Sequence, residues 1–188
     1  ASAGRATNLR ALAHWMLGDL AEAAALSVRA RETALVAGER WLAALTAQNL
    51  GVSATARGDL ERALRFYVTS LGEFRQLGSA SEMCCVLNNM GKLYTDLEQW
   101  DSATRSFDEA SQIAVVLGDV GARILLEVNR GELEIARGDF VAARDACPTA
   151  LRLSEDTGDS PVLGEVHMHL GTVGRALGEY VRAAPHLE

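Results

Sequence analysis

Lysine is almost missing from this chain. Lys92 stands alone, so arginine supplies seventeen of the eighteen cations among 188 residues. Against 25 acidic residues the formal net charge is −7. Phosphate binding needs clustered cations that displace condensed counterions. No such cluster occurs, which argues against direct contact with nucleic acid. Proline occurs three times, at Pro148, Pro161 and Pro185. Only Pro148 falls well inside a helical pattern, so long helices are allowed along most of the sequence. The three cysteines form no framework: Cys84 and Cys85 are neighbours and Cys147 lies far away. An odd count without metal-type spacing fits reduced thiols and leads us to expect a cytoplasmic setting. No apolar run approaches the roughly 20 residues of a membrane span, and no signal-peptide pattern opens the chain, so no membrane association is expected.

Catalytic signatures are absent too. Neither Gly-x-Gly-x-x-Gly, a phosphate-binding loop, His-Glu-x-x-His nor a Gly-x-Ser-x-Gly elbow occurs. His167 and His169 are two apart on a predicted helix and point to different faces, which is poor geometry for one metal. The expectation is a non-enzyme with no cofactor and no metal.

What remains is helix-forming and globular. Hydrophobic residues make up 48% and charged residues 23%, a composition that can bury a core. The arginine skew, with abundant alanine and glycine, fits a GC-rich bacterial coding bias.

The chain repeats itself every forty residues. Leu17-Gly-Asp-Leu20, Arg57-Gly-Asp-Leu60, Arg137-Gly-Asp-Phe140 and Leu177-Gly-Glu-Tyr180 keep that beat, and Leu97-Glu-Gln-Trp100 fills the missing place. Alanine recurs at 23, 63, 103, 143 and 183. Glycine recurs at 51, 91, 131 and 171, and again at 38, 78, 118 and 158. Such self-similarity marks a stacked helical array, in which no unit buries its apolar stripe alone.

Each unit reads as two helices, A and B. In the second unit, A is expected from about Trp41 to Arg57; Gly58 ends it and Asp59 caps B, which runs to about Leu77 before Gly78. The Ser160-Pro161 pair suits a helix start. Gly51 on A and Ala63 on B are expected to let the two backbones approach closely. Leu50, Met90 and Leu170 on A, with Tyr67, Phe107 and Leu187 on B, would fill the space around them. The Arg-Gly-Asp triplets at 57–59 and 137–139 sit where the period demands Gly and Asp, so they are turn signals rather than adhesion motifs.

At this point the residues resemble the tetratricopeptide repeat (TPR) family. The second unit carries Leu50-Gly51, Gly58, Leu60, Ala63, Tyr67 and Ser70; the third carries Met90-Gly91, Tyr94, Trp100, Ala103, Phe107 and Ala110. The usual unit is about 34 residues. The longer B helix here is similar to Leu-Gly-Asn-type repeats and to the helical repeat regions of MalT-type bacterial regulators. Two features depart from the pattern. Ala47 replaces a large residue, and no proline closes B at Arg75.

The resemblance implies an all-α, right-handed α-solenoid of about five helix-turn-helix repeats: 1–38, 39–78, 79–118, 119–158 and a truncated 159–188. These would form one domain, 1–188, that is an excerpt of a larger protein. It implies a protein-interaction scaffold that binds a peptide or helix in its concave groove. The alternative is an effector-sensing or regulatory segment of a multidomain transcription regulator or signalling enzyme.

By register, the groove would be lined by Gln48, Asn49, Val52 and Thr55 in the second unit and by Asn88, Asn89, Lys92 and Thr95 in the third. Val128, Asn129, Glu132 and Ile135 follow in the fourth, then Met168, His169, Thr172 and Arg175 in the fifth. Asn49, Asn89 and Asn129 make an amide ladder able to pair with a peptide backbone.

Two further expectations concern single units. Arg123, Glu127, Arg130 and Glu134 form a stripe of alternating sign where the third unit has Met83, Leu87, Met90 and Tyr94. We expect ion pairs among these four beside a bend at Pro148. In the fifth unit, Tyr180, Ala183 and Leu187 are expected to leave apolar surface through which the chain self-associates or frays.

Overall fold

The computed structural model describes residues 2–157 and 160–179, except for the side chains at 146–148, 150, 153–157, 160–163, 165 and 166. All regular structure among them is helical. The helices are α1 (Ala3–Met16), α2 (Leu20–Val36), α3 (Arg40–Ala56), α4 (Leu60–Leu77), α5 (Ala80–Asp96), α6 (Trp100–Leu117), α7 (Val120–Ala136), α8 (Phe140–Thr157) and α9 (Ser160–Ala176). Odd-numbered helices are the A helices, and even-numbered ones the B helices. The B helices begin at 20, 60, 100 and 140, and from α3 onward the A helices begin at 40, 80, 120 and 160. The forty-residue beat is therefore a structural period. A fifth B helix, with Tyr180, Ala183 and Leu187, would lie outside the described residues.

Punctuation residues set this beat. Gly18, Gly58, Gly138 and Gly178 follow the A helices, and Gly38, Gly78 and Gly118 follow the B helices, all with φ between +65° and +82°. That left-handed conformation turns the chain out of the helix and suits a residue without a β-carbon. The next amide then reaches back to the last turn: Asp19 N bonds His14 O at 2.9 Å, Asp59 N bonds Ala54 O at 3.0 Å, and Asp139 N bonds Glu134 O at 2.9 Å. The same aspartates cap the helix that follows. Asp59 Oδ1 accepts from Arg62 N at 3.3 Å and Asp139 Oδ1 from Ala142 N at 3.0 Å. Where the motif is Leu97-Glu98-Gln99, Glu98 adopts φ +56° and Gln99 makes no side-chain cap.

Contacts gather into two compact units, Ala1–Leu93 and Tyr94–Glu188. In the first, α1 packs with α2, α2 with α3 and α3 with α4. Its core includes Leu26, Ala30, Leu42, Ala44, Ala47, Ala63, Tyr67 and Phe74. The α3 backbone is tied to both neighbouring B helices, because Arg31 Nη1 donates to Ala43 O at 2.7 Å and Ser70 Oγ to Ala44 O at 2.9 Å. In the second, α6 packs with α7, α7 with α8 and α8 with α9. Phe107, Ala110, Ile124, Leu126, Leu133 and Ala143 are buried there. Pro148 lies within α8, which is helical from Phe140 to Thr157.

Gly51 serves a different purpose from the one its sequence position suggested. A β-carbon built on it would come within 2.5 Å of Tyr67 Cε1, and its three nearest neighbours are all ring carbons of Tyr67. The glycine makes room for a ring, not for the backbone of α4. Cys84 is buried and Cys85 exposed, as adjacent positions on a helix require.

Candidate binding surface

In the first unit the sequence-predicted groove positions of α3 lie on one face, and Gln48, Asn49, Val52 and Thr55 are all half-buried. Asn49 Nδ2 donates to Asn8 Oδ1 on α1 at 3.0 Å. One of the amide's four hydrogen-bonding positions thus joins two successive A helices. Thr55 Oγ1 donates to Gly51 O at 3.0 Å and lies 3.3 Å from the Tyr67 hydroxyl. On α5, Asn88 is buried, Asn89 half-buried and Lys92 exposed.

Forty residues upstream of Gln48, Asn49, Val52 and Thr55 stand Asn8, Leu9, Leu12 and Trp15, which the sequence reading passed over. Asn8 is buried against Asn49. Leu9 is 63%, Leu12 48%, Trp15 42% and the adjoining Met16 74% exposed. Subtracting the period once more would have found them. A water-facing cluster of this kind on a small chain marks a contact surface more often than scattered single residues do. A cavity of about 200 Å³ opens here, walled by α1, α2 and α3.

The second unit treats the equivalent positions unevenly. Thr95 is half-buried. Val128 and Asn129 are each 2% exposed and offer almost no surface to a solute, while Glu132 beside them is exposed. Met168 is 56% exposed and Arg175 is exposed, whereas His169 is buried and its Nδ1 has no hydrogen-bond partner among the described residues. Ile135 and Thr172 are half-buried. The three asparagines of the ladder therefore do not share one environment.

The charged stripe of α7 is half-buried throughout, but the ion pairs formed there run out of it. Arg130 pairs with Asp108 of α6, and Glu134 with Arg137 at 3.0 Å. The expected pairing among the four is corrected to that extent, because the packed B helix supplies a nearer carboxylate than the next turn of α7. Burial pushes the Glu127 carboxyl above the usual range, against the pull of Arg130 and Arg123. Burial also raises Glu134, opposed by Arg137 and Arg130 and assisted by Asp139.

Among the described residues no group of three or more His, Cys, Asp or Glu could hold a metal ion, and no helix is long and apolar enough to cross a membrane.

No protein-family profile matches the chain, and no curated protein matches it in sequence. Solved structures do match. BtubC (BKLC) from P. vanneervenii is similar with a TM-score of 0.81 at 20% identity, over 94% of this chain and 73% of that one. A Rap protein complexed with competence and sporulation factor gives 0.84 at 13% identity, over 96% of this chain and 50% of its own. The TPR-like repeats of a Podosopora anserina putative kinesin light chain give 0.78 at 14%, over 97% and 90%. This chain thus spans half the length of the Rap protein. It has the all-α, tetratricopeptide-like helical-repeat fold.

Proposed function

We propose that this chain is a non-catalytic protein-interaction scaffold that holds a peptide or helix of a partner in a groove lined by its A helices. On this reading 1–188 is one repeat domain. The observation that carries the proposal is the exposed set Leu9, Leu12, Trp15 and Met16 on α1, of which Leu12 and Trp15 line a cavity with Asn49 and Val52. An apolar strip with amide groups beside it can bury a partner's side chains and still pair with its backbone. In the second unit, exposed Glu132, Met168 and Arg175 are the groove positions most open to a partner. Panning a random 12-residue peptide library on the chain tests the reading. Selected peptides should lose binding to Leu12→Asp/Val52→Asp with the helical spectrum unchanged. Retained binding would move the site elsewhere.

A second reading is kept because a Rap protein of this fold was solved with competence and sporulation factor bound. On that reading the same face is an effector-sensing or regulatory segment of a multidomain bacterial protein.

A further inference from the structure

In the second repeat the ring of Tyr67 on α4 lies against Gly51 of α3, and its hydroxyl is 3.3 Å from Thr55 Oγ1. Tyr67 is 2% exposed. The third repeat places Phe107, fully buried, at the same register. In the first repeat the corresponding residue is Ser27, Ala11 stands for Gly51, and Trp15 stands for Thr55. The B helix of the first repeat therefore supplies no ring at this register, and Ala11 and Ser27 both line the cavity of about 200 Å³. It is walled by Ala11, Trp15, Ala23 and Ser27 of the first hairpin and by Asn49 and Ser53 of α3, with Leu12 and Val52 completing it.

Two further observations bear on what would enter it. Ser27 and Ser53 line the cavity and are 2% and 4% exposed. Their hydroxyls are polar groups with which an occupant able to donate or accept can pair. No lining residue is charged, so a charged occupant would shed its hydration without compensation. The volume is also below the roughly 300–1,000 Å³ of pockets that take whole small molecules, and suits a single side chain.

We infer that this cavity is an anchor site for one aromatic side chain of a partner segment, tyrosine foremost, which packs over Ala11 in the repeat whose B helix, unlike α4 and α6, supplies no ring at this register. Asn49 and the serines meet its polar atoms, and Leu9, Leu12 and Met16 cover its flanking residues. This deepens the scaffold reading and rests on it.

The test uses the 188-residue chain labelled with ¹⁵N and a set of Gly/Ser heptapeptides with Tyr, Phe, Leu, Ala or Glu at the centre. The tyrosine peptide should shift the Trp15 Nε1–H and Asn49 Nδ2–H signals saturably, and the alanine peptide should bind about tenfold more weakly or worse. Ala11→Gly/Ser27→Tyr supplies an internal ring and should melt higher while abolishing the shifts. Should that variant not fold, Trp15→Ala, at an exposed wall, should weaken the tyrosine peptide about tenfold as read at Asn49. Equal binding of the tyrosine and alanine peptides, no saturable shift, or undiminished binding to the variant that folds would overturn the anchor. So would binding of p-cresol without binding of the tyrosine peptide, since the site would then take free phenols only.

A library-selected 12-residue peptide separates the two readings. If it still binds the A-helix face of the refilled chain at full strength, the anchor fails and the scaffold stands. If it perturbs only B helices, the scaffold reading fails.

Discussion

Arg130 of α7 pairs with Asp108 of α6 at the register where, one pair of repeats earlier, Leu50 of α3 and Val28 of α2 line a common cavity of about 370 Å³. Where those two apolar side chains face a shared cavity, Arg130 and Asp108 join successive helices by an ion pair. The side chains of Arg130 and Asp108 remain 29% and 49% exposed, so the pair is hydrated on one side. Arg130→Leu alone should lower stability by about 0.5–1 kcal/mol. Asp108→Val/Arg130→Leu should recover the parent's stability or exceed it, because well-packed apolar residues commonly replace an ion pair without loss. A denaturant double-mutant cycle measures this, and simple additivity of the two single changes would show that the pair is not coupled.

Glu127 and Glu134 both have carboxyl pKa values raised above the ordinary range, chiefly by burial. A carboxyl raised in the folded state contributes stability that is fully present below the unfolded pKa of about 4.3 and is lost as pH rises through the folded value. Glu127→Gln removes one such loss. Its stability relative to the parent should therefore be greater at pH 7 than at pH 4. A difference that stays constant between these pH values would show that Glu127 is solvated.

Glu98 is the one described non-glycine residue with positive φ, in a turn that elsewhere uses glycine. Placing a β-carbon there costs about 1–2 kcal/mol, so Glu98→Gly should stabilise the chain by roughly 1 kcal/mol. The reverse change, Gly58→Ala at φ +75°, should destabilise it. Thermal melts of both variants decide the matter; shifts of equal sign would rule the backbone explanation out.

Ala103 is fully buried, as is Ala63 at the equivalent position. Ala103→Leu should cost about 1–3 kcal/mol by overpacking. Gly51→Ala should be destabilising for the related reason that Tyr67 already occupies the space. Unchanged melting temperatures would mean that these sites are looser than their burial implies.

The period, the helix boundaries and the turns were legible in the sequence because glycine and aspartate act locally, each on its own few residues. Gly58 and Asp59 would end and begin helices in almost any context. The purpose of Gly51 was not legible, since it depends on a ring sixteen residues away whose direction only packing decides. The Arg130–Asp108 pair was hidden for the same reason. Its two residues stand on different helices on either side of a turn, while the stripe on α7 offered nearer partners in sequence. Asn49 was read as one rung of an amide ladder, and its bond to Asn8 could be seen only once α1 and α3 were side by side. The first repeat's share of the surface was available from the register alone, through Leu9, Leu12 and Trp15.

The central claim is that the A-helix face, and not the B-helix face, receives a partner. A chemical-shift map of the ¹⁵N-labelled chain with a library-selected 12-residue peptide measures this directly. The account predicts saturable changes concentrated at Leu9, Leu12, Trp15, Asn49 and Val52, with Ala24, Val28 and Phe66 unmoved. Changes centred on Ala24, Val28 and Phe66, around the cavity between α2 and α4, with the A helices silent, would contradict it.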